Sequence, residues 1–298
     1  MPEVRANGLQ LHYESFGRES DPPFVLVMGL GAQMILWPDE FCAALADAGY
    51  RVIRFDNRDV GLSSKIEGVR HPKLAHVALA SLVGVRLKVP YTLDDMARDT
   101  VGLMDALGLK TAHLAGVSMG GMIAQVVAAK WPQRVASLAL IMTTTGNPRL
   151  PGPRLDLRLR LIQRPKASDR ETLVRFSMET WRLIGSPQFP PDDKALRARC
   201  ERSHDRSSYR AGLARQTMAI LASGSRVKLL RHITAPTLVL HGADDPLVPV
   251  AGAHDLAKHI PHARLEIVPG MGHDLPPQLL PRIAKAVLGN AGSATARH

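Results

Sequence analysis

The chain has little cysteine, few aromatic residues and no long apolar run, and each shortage removes a class of protein. Two cysteines, Cys42 and Cys200, in 298 residues cannot make a disulfide framework. No CxxC, HExxH or clustered Cys/His spacing is present either, so no metal and no other cofactor is expected. No stretch reaches the roughly 18 uninterrupted apolar residues of a membrane helix, and the opening MPEVRANGLQLHYESFG lacks the apolar centre of a secretory signal. The expectation is a cytoplasmic protein without a membrane partner. Hydrophobic residues at 45% and charged residues at 22% fit an ordinary globular chain and exclude a disordered one.

Acidic residues are also short, leaving a formal net charge of +11. Residues 151–232 hold 18 Lys and Arg against 8 Asp and Glu, a net of +10, so nearly all the excess lies in one segment. Nucleic-acid binding would need that charge joined to interleaved aromatics, finger spacing or an RNP-like sequence. Finger spacing and an RNP-like sequence are missing and aromatics in the segment are few, so no specific nucleic-acid partner is expected. In LDLRLRLIQR the alternation of leucines 155, 157, 159 and 161 with arginines 158 and 160 suggests arginines turned to water over an apolar face. The expectation is a solvated basic surface.

What the chain does have is a rhythm. Segments 24–29, 51–56, 112–117, 137–142, 237–242 and 264–268 are short, apolar and turn-bounded, and read as buried strands. Helical patterns at 38–48, 93–107 and 119–130 lie between them. That alternation predicts an α/β fold, a mostly parallel twisted sheet with helices on both faces. Residues 4–17 read instead as antiparallel edge strands turned at Asn7-Gly8. The rhythm breaks at 66–92, which has no evident place in the sheet, and harder at 146–232, where Arg-rich helical patterns surround the breaker run GSPQFPP at 185–191. The domain reading is a core of 1–145 and 233–298 with an inserted helical cap at 146–232.

One serine stands out. In LAGVSMGGMIAQ, Ser118 sits between Gly116 and Gly120 where a predicted strand runs into a predicted helix. G-x-S-x-G alone is weak; at a strand-to-helix turn it is the context in which a strained elbow exposes a nucleophilic hydroxyl. A serine needs a base and a group to orient that base. His273, in VPGMGHDLPP just past the last predicted strand, is the candidate base. His254, His259 and His262 lie in polar helical contexts, and His241 ends a strand and is read as packing. The acid should follow an earlier strand end, where HGADDPLVP offers Asp244 and Asp245. Backbone N–H groups of Met119, at the helix N-terminus, and of Leu30, in the turn Gly29-Leu30-Gly31, are candidate oxyanion donors. Met34 stands where a dinucleotide fingerprint would need glycine.

The motifs VMGLGAQMILWPDEF, VIRFDNRDVGLSS, GVSMGGMIAQ, HGADDPLVP and GMGHDLP resemble those of the α/β-hydrolase superfamily, closest to aclacinomycin methylesterase-like bacterial hydrolases. The resemblance implies the α/β-hydrolase fold, Ser118 as nucleophile, His273 as base, Asp245 rather than Asp244 as acid, and Leu30 and Met119 as oxyanion donors. It implies a serine esterase that passes through an acyl-enzyme on a small-molecule ester. Alternatives are the same triad applied to carbon–carbon bond hydrolysis or cofactor-free perhydrolysis, or a non-catalytic binding protein on the same fold. Met28-Gly29 replaces the superfamily's common His-Gly. Asp56, Arg58 and Asp59 resemble a loop whose charges brace the top of the sheet, and Met119, Met122 and Met142 read as core or pocket lining rather than metal ligands.

Overall fold

The computed structural model describes residues 2–82, 84–85, 87–162 and 169–295. Eight strands form one sheet: β1 (Glu3–Ala6), β2 (Leu9–Phe16), β3 (Pro23–Val27), β4 (Arg51–Phe55), β5 (Ala112–Val117), β6 (Val135–Ile141), β7 (Thr237–Gly242) and β8 (Arg264–Val268). Their order is β1-β2-β4-β3-β5-β6-β7-β8, parallel from β4 onward and antiparallel at the β1–β2 edge. Asn7 and Gly8 take φ of 49° and 77°, the paired left-handed conformations that a two-residue hairpin of this twist requires.

Helices cover both faces because the parallel strands are apolar on both. Val25, Val27, Leu114, Leu138 and Val239 point to one buried cluster, which α3 (Leu93–Ala106), α4 (Met119–Lys130) and α10 (Ala251–His259) complete. Phe24, Leu26, Ala115, Ala139 and Leu238, their alternates along the same strands, point to a second cluster under α1 (Asp39–Asp47) and α11 (Leu280–Thr295). No helix among the described residues is long and apolar enough to cross a membrane.

The 66–92 interruption contains α2 (Leu74–Leu82), and it does have a place, although not in the sheet. It packs on a later helix, where Ser81 Oγ donates to Leu221 O at 3.4 Å. Residues 83 and 86 of that stretch lie outside the described residues.

Between β6 and β7 the described chain forms α5 (Leu155–Ile162), α6 (Arg170–Ile184), α7 (Asp193–Arg206), α8 (Arg210–Ser223) and α9 (Val227–Leu230). Asp169 and Asp192 cap α6 and α7 by accepting from Thr172 N and Ala195 N, both at 2.9 Å.

The arginines of this segment divide: Arg154, Arg170, Arg175, Arg182, Arg202 and Arg210 are exposed, while others turn inward. Leu157 is fully buried but Leu155 is 70% exposed, because a two-residue alternation cannot keep all its leucines on one face of a helix. Arg160 lies over the Phe176 ring at 3.7 Å and donates to Phe176 O at 2.7 Å. The side chains of 158, 159 and 161, and all of 163–164, lie outside the described residues. Arg206, Arg215 and Arg226 turn inward and tie the segment to the rest of the chain.

Candidate functional site

The C-terminal ends of β5, β7 and β8 meet at one edge of the sheet, and the candidate residues follow them. Ser118 comes directly after β5 with φ 55° and ψ −119°, a conformation that side chains rarely adopt, and its N–H is held by Ile141 O at 2.9 Å. The neighbouring glycines permit the turn. A Cβ on Gly120 would stand 2.0 Å from Val27 O, so α4 can leave the sheet here only without a side chain. A Cβ on Gly29 would lie 3.2 Å from Ser118 Cβ, which puts the Gly29-Leu30-Gly31 turn against the serine. The serine's carbonyl accepts from Thr143 Oγ1 at 2.7 Å and Met122 N at 3.1 Å, fixing the elbow from below. Its hydroxyl makes no hydrogen bond to any described residue.

Asp245 and His273 are in contact. His273 Nδ1 lies 2.7 Å from Asp245 Oδ2, while Asp245 Oδ1 accepts from Leu247 N at 2.9 Å and Val248 N at 2.8 Å. Burial alone would raise this carboxyl, but the charges and hydrogen bonds of His273 and His241 outweigh it and hold the group well below the usual carboxylate range. Asp244 turns away to accept from Gly270 N at 2.9 Å and is exposed. His273 N donates to Ile184 O at 2.7 Å, and its Nε2 has no hydrogen-bond partner among the described residues.

The N–H groups of Leu30 and Met119 likewise have no partner among the described residues. Gly31 N, next along the same turn, is taken by Gln216 Oε1 of α8 at 2.8 Å. The structure therefore gathers the Leu30 turn against Ser118 and pairs Asp245 with His273. It records no hydrogen bond between Ser118 and His273, as unliganded sites often do not.

Three residues escaped the sequence reading. His241, read as packing, is fully buried with Nε2 at 2.8 Å from Val248 O and 3.4 Å from Asp245 Oδ2, so it is a second histidine on the same carboxylate. Ser186, inside the breaker run, donates to Asp274 Oδ1 at 2.5 Å and accepts from Gly272 N at 2.9 Å, latching the end of α6 to the histidine loop. Arg199 of α7 lies over the Trp181 ring of α6 at 4.5 Å. Ser186 and Arg199 act on residues distant in sequence, and His241 reaches Asp245 four residues on only because the turn after β7 folds back.

The Asp56–Asp59 loop behaves as a brace. Asp56 accepts from Met34 N at 2.8 Å and pairs with Arg206 at 2.7 Å. Asp59 takes Arg215 at 2.8 and 2.9 Å and Tyr91 Oη at 2.7 Å. Met119, Met122 and Met142 are buried in the apolar clusters. A cavity of about 820 Å³ lined by Arg231, Thr237, Arg264, Glu266, Arg282 and Asn290 opens elsewhere. It sits where β7 and β8 begin, at the opposite end of the strands from Ser118, and parallel sheets bind ligands beyond their carboxyl ends.

Residues 22–277 match the family model described as alpha/beta hydrolase fold. The chain belongs to that family. It is 30% identical over 311 residues to the rhodomycin D methylesterase DauP of Streptomyces sp. (strain C5), covering 98% of each chain. It is also 30% identical over 302 residues to rhodomycin D methylesterase DnrP of Streptomyces peucetius, covering 95% of each. Among solved structures, a meta-cleavage product hydrolase from Pseudomonas fluorescens IP01 matches with TM-score 0.78 at 19% identity, covering 99% of this chain and 98% of that one. A thermophilic esterase from Thermogutta terrifontis matches with TM-score 0.72 at 25% identity, covering 98% of both.

Proposed function

We propose that the chain is a carboxylic ester hydrolase that works in two steps through an acyl-enzyme, with Ser118 as nucleophile, His273 as general base and Asp245 as the group that orients and charges-balances the base. The methylesterase relatives support the ester class. One observation carries the mechanism: the 2.7 Å contact of His273 Nδ1 with the buried Asp245 leaves Nε2 as the ring nitrogen able to take a proton. His273 removes the Ser118 proton as Oγ attacks the ester carbonyl. The N–H groups of Leu30 and Met119 bind the oxyanion, and they need no rearrangement because no described residue occupies them. His273 then protonates the departing alcohol, and a water deprotonated by His273 releases the acid. The helices of 146–232 cap this site, inserted in a core of 1–145 and 233–298, and the partner is a small-molecule ester.

A fluorophosphonate probe tests the nucleophile. Wild-type protein is labelled on Ser118, whereas Ser118→Ala is not labelled and loses ester hydrolysis by about 10⁴-fold or more. Retention of a tenth of the activity in pure variant sinks the assignment. A p-nitrophenyl ester series of rising chain length, run beside 1,3-diketones, separates ester cleavage from carbon–carbon cleavage by the same residues.

A further inference from the structure

Arg199 is a cation without a described counter-ion in a segment where several arginines have one and where the buried Arg226 is satisfied by neutral oxygens instead. Arg154, Arg170, Arg182, Arg197, Arg206 and Arg215 each reach a carboxylate at 2.5 to 2.8 Å. Arg199 lies on the same helices, yet no described carboxylate comes within 4.0 Å of it, and its Nε is buried with no hydrogen bond. Its neighbour is the face of Trp181, 4.5 Å from the guanidinium carbon. The carboxyl of Asp274, on the far side of Gly185, is engaged by Ser186. A guanidinium stays charged at any working pH, so burying it unpaired costs stability that a partner anion would restore.

One turn further along α7, Ser203 repeats the anomaly: its Oγ is buried and has no hydrogen-bond partner. Positions 199 and 203 share a helix face, separated by a rise of ~6 Å. The two ends of that face lie at the two sides of the candidate site. The Arg199 end lies over Trp181, whose carbonyl accepts from Gly185 N at 2.8 Å, and Gly185 stands against Asp274, the residue after His273. The Ser203 end is held by Gln33, whose Nε2 donates to Ser203 O at 2.6 Å and Ser207 O at 3.0 Å, three residues beyond Leu30. The stripe therefore lies on a helix whose neighbours lead to the His273 loop at one end and to the chain just after the oxyanion turn at the other.

We infer that Arg199 and Ser203 form a carboxylate-binding subsite, and that the substrate is an ester carrying a second, ionised carboxyl group, such as the half-ester of a dicarboxylic acid. The guanidinium fork accepts a carboxylate with two parallel hydrogen bonds, Trp181 backs it, and the serine hydroxyl donates a third bond. The inference rests on the reading of Ser118 as nucleophile and deepens it to a substrate class.

The test compares monomethyl and dimethyl esters of the straight-chain C4 to C8 dicarboxylic acids at pH 7.5, with wild type, Arg199→Met, Arg199→Lys and Ser203→Ala. Wild type prefers the monoanion at one or more chain lengths by about tenfold in kcat/KM. In Arg199→Met the monoester-to-diester ratio falls by at least about tenfold, mainly through KM, with Arg199→Lys intermediate because it keeps charge but loses the fork. Ser203→Ala lowers the ratio by a few-fold. Arg199→Met also melts no lower than wild type, and added free dicarboxylate raises the melting temperature of wild type but not of this variant. A purely structural arginine gives the opposite: a lower melting temperature and an unchanged ratio, which overturns the subsite. Fluorophosphonate labelling of the same wild-type sample keeps the two readings apart. Labelled protein that prefers the diesters at every length refutes the subsite alone, and unlabelled protein refutes the Ser118 reading beneath it.

Discussion

Asp245 divides its oxygens between two tasks: Oδ1 takes the N–H groups of Leu247 and Val248, and Oδ2 faces His273. An asparagine there keeps its carbonyl on the two N–H donors and turns its NH₂ toward Nδ1. That forces the imidazole to carry its proton on Nε2, the wrong tautomer for accepting one from serine. Asp245→Asn is therefore expected to lower kcat by at least about a hundredfold more than Asp244→Asn, whose side chain needs only an acceptor for Gly270 N. Steady-state kinetics of the two variants decide it, and equal losses would mean the acid is misassigned. Adjacent aspartates were not separable from the residues alone; likeness to other hydrolases pointed to Asp245, and the contact with His273 supplies a physical reason. His241 and Arg199 were illegible for a different cause. A histidine is recognised by what it touches, and an unpaired arginine by what it fails to touch, and neither is written in a local pattern.

At the scale of elements, short apolar runs bounded by turns placed β5, β7 and β8 residue for residue; β5 and β7 are buried on both faces, and β8, nearer the sheet edge, is half-buried. The strand expected to reach residue 29 stops at Val27, where the chain turns to bring Gly29 against Ser118. Tertiary contact sets that boundary, and periodicity is blind to it. The helices between β6 and β7 were legible as helices, but which arginines turned inward was not, since Asp56 and Asp59 lie far away in the sequence.

Strand β5 also carries a pH liability. His113 is buried, stacked on Phe24 at 5.5 Å and bonded to Ser137 Oγ at 2.8 Å, and burial holds its imidazole down to about 4. Between that value and about 6.5 the unfolded chain binds a proton that the folded chain refuses, so stability rises with pH across this window and is lost as pH falls. The loss is roughly 3 kcal/mol for a shift of this size. Urea unfolding at pH 7 and pH 4 should show His113→Asn less stable than wild type at neutrality yet losing less on acidification by about that amount. Parallel losses in the two proteins would remove His113 as the cause.

For the whole molecule the question is what the +10 of residues 151–232 does. All eight acidic residues of the segment are in use: Asp156, Glu171, Glu179, Asp193, Glu201 and Asp205 pair with arginines, and Asp169 and Asp192 cap helices. Arg206 and Arg215 spend their charge on buried aspartates of the brace loop. Arg199 and Arg226 are turned inward as well, so the excess at the surface is smaller than +10; among the described residues it is exposed charge such as Arg175, Arg202 and Arg210, and such charge acts at long range only where salt does not screen it, within about 10 Å at 0.1 M. A neutral ester has no charge for that field to steer. Its kcat/KM is expected to change less than about threefold from low salt to about 0.3 M, while duplex DNA binds weakly, without sequence preference, and is released over the same range by counterion competition. A half-ester held by Arg199 should weaken more with salt than the neutral diester, because one of its contacts is ionic. A steep fall for neutral esters, or DNA binding that survives about 0.3 M salt, would show that the basic surface itself is functional and not merely a solvated face.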